Sequence, residues 1–246
     1  MRTTNTWRLR DLHWGQALFL SLLFLLPAPK AAAQATGNYN FFDFQQKPYY
    51  FGITLGYNSS RFKPFNSDQF LQSDSIRVVE SAAGPGFNLG IVTNLKMGDN
   101  FDFRFLPTLS FAERTISYTR FGRRSNFSER RVESVLVEMP FHLRYKSAPY
   151  KDMRLFVIAG VKYAFDVASD SQTRQAETLV RIAPNEFALE YGAGVQFFFP
   201  FFIFSPEIKI SHGIGNTLIY NENVVESTVL EKLLSRTFTL SFHFEG

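Results

Sequence analysis

The chain has 246 residues, 29 of them phenylalanine, no cysteine, and a mean hydropathy of −0.10. The missing cysteines exclude disulfides, thiolate metal sites, cysteine nucleophiles and a lipidated N-terminal cysteine. The near-neutral hydropathy excludes a bundle of apolar membrane-spanning helices, which needs several runs of about 20 apolar residues.

Residues 1–33 read as a cleaved secretory signal. Arg2, Arg8 and Arg10 form a basic start, and residues 17–26 form an apolar run too short to cross a bilayer. Ala31, Ala32 and Ala33 offer a cleavage site before Gln34. Losing Arg2, Arg8, Arg10 and Lys30 along with Asp11 brings the formal charge of +4 close to zero. The basic isoelectric point therefore belongs mostly to the signal, and no nucleic-acid partner is indicated. Residues 34–48, ending in Lys47 and Pro48, read as an irregular periplasmic arm.

From residue 49 to 246 the hydrophobic period is two. Phe51, Ile53, Leu55 and Tyr57 alternate with small or polar residues, as do Phe87, Leu89 and Ile91. Next come Phe101, Phe103, Phe105, Leu109 and Phe111, then Val135, Val137, Met139, Phe141, Leu143 and Tyr145. The second half continues with Leu155, Val157, Ala159, Val161 and Tyr163, then Phe187, Leu189, Tyr191, Ala193, Val195 and Phe197. Phe202, Phe204, Ile208 and Ile210 precede a final run of Phe238, Leu240, Phe242 and Phe244. These runs predict eight strands of the length a tilted strand needs to cross a bilayer.

Connections alternate between long and short. Residues 62–85, 117–132, 166–185 and 213–234 are long and polar, whereas 97–100, 146–153 and the break at Pro200 are short. That order predicts an all-β, eight-stranded antiparallel up-and-down transmembrane β-barrel with both termini in the periplasm. A Greek-key sandwich has no reason to keep it. A soluble calyx would turn the apolar face inward instead, but the signal and the loops clustered at one rim favour apolar-out.

With the polar face inside, Asp102, Arg104, Glu138, Arg144, Lys162, Glu190, Glu207 and Lys209 enter the lumen as four charges of each sign. Unpaired they would be costly, so a paired network that fills the narrow interior is expected. Catalysis is not expected. Ser211 and His212 sit near one rim but alternate to opposite faces, and His142, His212 and His243 have no metal-ligand spacing. No cofactor is implied. Arg120, Arg123, Arg124, Arg130 and Arg131 in the second long connection make a candidate surface contact, opposed only by Glu129. Phe242 and Phe244 near the C-terminus resemble the signal read by the outer-membrane barrel-assembly machinery.

Four of these strands carry a family resemblance. Residues 137–145 (VEMPFHLRY), 156–163 (FVIAGVKY), 190–195 (EYGAGV) and 205–211 (SPEIKIS) resemble strands of the PorT-like outer-membrane β-barrel family of the Bacteroidetes. His142 departs from it, standing where an aliphatic residue is usual. The resemblance implies a non-enzymatic outer-membrane protein needed for type IX secretion, the route that exports proteases such as gingipains. Implied partners are outer-membrane lipid and lipopolysaccharide, the barrel-assembly machinery and other type IX components. A generic structural or adhesive barrel, or a lipid A-modifying barrel enzyme, are the alternatives.

Overall fold

The structure is a computed structural model and describes residues 40–67, 76–120, 127–167, 181–220 and 228–246. The expected signal at 1–33 lies outside them, as do the first residues of the arm. In chain order the elements are helix α1 (Phe41–Gln45), then β1 (Tyr49–Asn66), β2 (Ile76–Lys96), β3 (Phe101–Phe105), β4 (Thr108–Arg120) and β5 (Phe127–Lys146). They continue with β6 (Met153–Asp166), β7 (Arg181–Ile182), β8 (Asn185–Phe198), β9 (Ile203–Gly213), β10 (Leu218–Ile219) and β11 (Leu230–Glu245).

Nine strands form one antiparallel sheet in the order β1-β11-β9-β8-β6-β5-β3-β2-β4, with additional pairings of β1 to β2 and β5 to β4. Strands β7 and β10 make a separate two-stranded ribbon. This corrects the eight-stranded up-and-down transmembrane barrel expected from the sequence. The run from Phe101 to Phe111, expected as one strand, is two. β3 pairs with β5 as far as Phe105 opposite Phe141, and β4 resumes at Thr108 opposite Glu138. Between them lies Pro107, with Pro140 in the facing stretch. Neither proline has an N–H to give to the ladder, so regular pairing lapses there. The Leu106 amide donates to the Pro140 carbonyl at 3.2 Å and the Ile91 amide to the Pro107 carbonyl at 3.0 Å. The break therefore keeps its side chains in phase.

The strands are also longer than the hydrophobic pattern predicts. β1 has 18 residues, β2 has 21 and β5 has 20. Much of the expected first long connection, 62–85, is in fact paired backbone. Ladder hydrogen bonds continue past the end of the apolar stripe, where Arg61 and Lys63 are exposed and Phe62 between them is buried. Pro85, flanked by Gly84 and Gly86, marks a register shift against β4. At the opposite end the turns are tight. In the hairpin from β2 to β3 the Met97 amide donates to the Phe101 carbonyl at 2.8 Å, and Gly98 adopts φ +97, which a side chain would disfavour.

The faces of the sheet are inverted relative to a water-soluble protein. Leu55, Leu89, Ile91, Tyr191 and Ile208 are about half exposed, whereas Asp102, Arg104, His142 and Arg144 are fully buried. Apolar side chains outside and ion pairs inside suit a chain whose solvent is hydrocarbon, where every backbone polar group must be satisfied within the sheet. On β1 the outward series runs Tyr49, Phe51, Ile53, Leu55, Tyr57 and Ser59 before the first cation. At ~3.3 Å per residue this series covers ~33 Å of strand. A tilt of roughly 40° reduces it to about 25 Å along the membrane normal, the height of an outer-membrane apolar band.

Two apolar clusters lie toward the ends of the polar interior. One brings α1 into the fold: Phe41 and Phe44 pack with Tyr50, Phe198 and Ile203. The Phe41 and Phe198 rings meet edge to face at 5.2 Å, and the Phe41 amide donates to Asp152 Oδ1 at 3.2 Å. The arm is thus not wholly irregular, because its aromatic residues form one helical turn docked on the sheet. At the other end Phe62, Ile116, Tyr118, Leu218, Val229, Leu230 and Leu233 are buried together.

The inverted faces make a depth-dependent prediction. Leu55→Arg, in the middle of the outward series, is expected to cost about 2–4 kcal/mol, and Ser59→Arg at its edge about 0–1 kcal/mol. Equilibrium urea unfolding from lipid vesicles measures both. Equal costs would contradict the assignment of the outward face.

Candidate functional site

The side chains with the most chemistry lie on the inner face, where alternation along each strand fixes their direction. β5 turns Glu138, His142, Arg144 and Lys146 inward, and β3 adds Asp102 and Arg104. β6 supplies Lys162, β8 Glu186 and Glu190, β9 Glu207 and Lys209, and β11 His243 and Glu245. All eight lumen residues named from the sequence are buried, and they fall into three groups.

Near α1, Asp102 accepts from Arg144 Nη2 at 2.7 Å and Arg144 Nε at 3.1 Å, and from Lys146 Nζ at 2.5 Å. Arg144 also donates to Asn94 Oδ1 at 2.9 Å and to the Tyr50 hydroxyl. Its guanidinium lies 5.0 Å from the centre of the Phe156 ring. In the second group Arg104 joins two strands at once, donating to Glu207 at 3.0 Å and Glu245 at 2.6 Å. His243 stands 3.5 Å from Glu207. In the third, Glu190 accepts from Lys209 at 3.2 Å and lies 2.7 Å from His142 Nε2 and 3.6 Å from Lys162, which donates to Glu138 at 2.9 Å. Nearer the loop end, Arg114 donates to Glu186 at 3.5 Å, and Ser235 donates to the same carboxylate.

Six of these residues were not counted among the expected lumen charges: Arg114, His142, Lys146, Glu186, His243 and Glu245. Alternation nonetheless places them on the inner face. His142 and Lys146 share the phase of Arg144, and His243 and Glu245 share that of Thr237, Thr239 and Ser241. Glu245 reads as an appendage after the final aromatic, yet it is a principal partner of Arg104. His142, the departure from the family pattern, is accommodated by Gly160 across the ladder, where a Cβ would collide with the Phe141 carbonyl and the His142 ring.

The remaining sequence candidates separate. Ser211 is buried inside, while His212 lies outside against Tyr191, its Nε2 2.9 Å from the tyrosine hydroxyl. No nucleophile–base pair forms between them. No group of three metal-ligating side chains occurs among the described residues. Arg123 and Arg124 lie outside the described residues, and the side chains of Arg120 and Arg130 are likewise not described. Arg131 is exposed, with its Nε 3.1 Å from Glu113. Phe242 and Phe244 face outward, with Phe204 stacked on Phe242 at 6.1 Å.

The sequence from 33 to 218 matches the family described as outer membrane protein beta-barrel domain, and the chain belongs to that family. As a member of that family it is an outer-membrane protein whose strands span the membrane. Among solved structures it is similar to OprG of Pseudomonas aeruginosa, with TM-score 0.46 and 10% identity over 80% of this chain and 95% of that one. Neisserial surface protein A gives TM-score 0.43 and 11% identity over 81% and 96%. The attachment invasion locus protein Ail of Yersinia pestis gives 0.36 and 15% over 81% and 100%. No curated protein matches the chain.

The network predicts an asymmetry between removing a charge and removing a whole group. Arg104→Ala leaves the buried Glu207 and Glu245 without their shared cation and is expected to cost about 3–5 kcal/mol. Arg104→Met combined with Glu207→Gln and Glu245→Gln is expected to recover most of that loss. The readout is the urea midpoint of the vesicle-folded protein, and an Arg104→Ala variant as stable as the triple would count against the pairing.

Proposed function

We propose that the protein is a structural outer-membrane β-barrel that works through its loop-end surface and conducts nothing through its interior. The observation supporting this is the interior itself. It is occupied by paired charges, with apolar clusters toward both ends, the α1 aromatics at one and Phe62, Leu230 and Leu233 at the other. A transport path would have to break these ion pairs. What remains for function is the end where β1, β2 and β5 run past the apolar band, a surface suited to adhesion or to contact with envelope components. The reading places the termini in the periplasm, with the signal removed near Ala33.

Planar-bilayer recording of the purified chain is expected to show no stepwise conductance. A stable open channel would overturn the proposal.

A second reading rests on the strand resemblance at residues 137–145, 156–163, 190–195 and 205–211. It makes the protein a PorT-like component needed for type IX secretion, including export of gingipain-type proteases. Deleting the gene and assaying secreted protease in the culture fluid separates the two. Loss of export favours the secretion role, and undiminished export leaves the structural or adhesive one.

A further inference from the structure

The outward face of β1 changes character within four residues. Tyr57 ends the aromatic and aliphatic series, and Arg61 and Lys63 follow on the same face, both exposed. The neighbouring strand changes at the same level. On β11, Phe238 lies opposite Ser59 and the next outward residue, Arg236, lies directly opposite Arg61. On β9, Ile210 lies opposite Phe238 and the next outward residue, His212, lies opposite Arg236. Three strands thus exchange apolar for basic or imidazole side chains along one row.

Two guanidinium groups directly opposed across a ladder repel each other. Among the described residues no carboxylate lies within ion-pair distance of Arg61, Lys63 or Arg236. The one cation-π contact in the group places Lys63 4.9 Å from the Phe65 ring. The three cations line an open groove of about 410 Å³ shared with Phe62, Pro64, Val79, Glu80 and Ser81. Glu80 is its single acidic member, so positive charge exceeds negative there by two. An anion is the missing counterpart.

Depth identifies the anion. The row lies one ladder step, about 7 Å of strand, beyond Ser59 and Phe238. It therefore sits just past the hydrocarbon, at the level of lipid headgroups. Arg is suited to bidentate contact with phosphate oxygens, and Lys adds a point charge. We propose that Arg61, Lys63 and Arg236 form a binding site for the phosphate groups of an outer-leaflet lipid headgroup. The site deepens the reading of a loop end facing the cell exterior, and it depends on that orientation.

The test uses the full mature chain folded in detergent micelles and immobilised, with labelled diphosphoryl lipid A as probe. The dephosphorylated lipid and inorganic phosphate serve as the comparison arms. Wild type is expected to retain the phosphorylated lipid over the dephosphorylated one. R61A/R236A is expected to retain about tenfold less, from the loss of two charge-assisted contacts. R61K/R236K is expected to keep roughly half of wild-type retention, since the charge survives without the fork. Raising salt from about 0.1 to 1 M should erase the preference, because the screening length falls from ~10 to ~3 Å.

Equal retention by wild type and R61A/R236A overturns the site, as does equal retention of both lipids. Displacement of the lipid by millimolar inorganic phosphate would assign the groove to free phosphate instead of a headgroup. If R61A/R236A fails to show the heat-dependent gel mobility of a folded barrel, R236A and the salt titration of wild type decide. Protease access to the loop end on intact cells checks orientation separately, so failure of the site and failure of the topology give different results.

Discussion

Charge compensation inside the sheet is the constraint on which the rest of the structure depends. With hydrocarbon outside, the apolar face gains little by association, because lipid tails solvate it as well as neighbouring side chains do. Ladder hydrogen bonds hold strands together but are indifferent to which strand supplies them. The inner face provides specificity, because Asp102, Glu190, Glu207 and Glu245 each have a particular cation within reach. Burial sharpens this requirement. Asp102, Arg104, Glu190, Glu207 and Glu245 are all buried, and at low local dielectric a matched pair interacts strongly while an unmatched charge is costly.

The outward face obeys a different rule, set by depth. Its rows run from the aromatic edge at Tyr49 through Leu55 and Leu240 to the Arg61–Arg236 row, and each row suits the layer it meets. The two faces share one backbone, so a strand can extend beyond the membrane only if its inner residues change as well. They do. Near the loop end Phe62, Ile116 and Leu233 replace the charges found deeper inside, and the outer face becomes basic where the inner becomes apolar. The inversion that defines the membrane segment reverses as soon as hydrocarbon gives way to water.

The part of the fold legible in the sequence was the part shaped by the bilayer. A slab of fixed thickness imposes period two over a fixed length, and Phe51 to Tyr57 or Phe238 to Phe244 display it directly. Features answering to other demands were harder to read. The break at Pro107 is invisible to periodicity because it preserves the phase on both sides. The extensions of β1 and β2 were hidden because Pro64, Pro85 and the glycines beside it resemble turn chemistry while the backbone stays paired. Phe41 and Phe44 read as loop aromatics because one helical turn is too short to show a 3.6 period. For the charge network, alternation supplied which residues point inward, but partner choice across the interior follows from curvature. That is why Arg104 could be placed inside without revealing Glu245 as its partner.

The Arg104 contacts also bear on how the chain enters a membrane. Its two carboxylates come from β9 and β11, separated from it by 103 and 141 residues. Strands β3 to β8, inserted alone, would therefore carry an arginine into hydrocarbon with neither of these partners present, and Glu245 arrives only with the last strand. Intramembrane charges of this kind are expensive unless they face a water-filled space or a counterion. A strand-by-strand route would meet its greatest cost in the middle, whereas bringing β9 and β11 in with the earlier strands compensates the charge as it is buried. The position of Glu245, at the end of the strand that pairs with both β1 and β9, thus couples completion of the chain to neutrality of the interior.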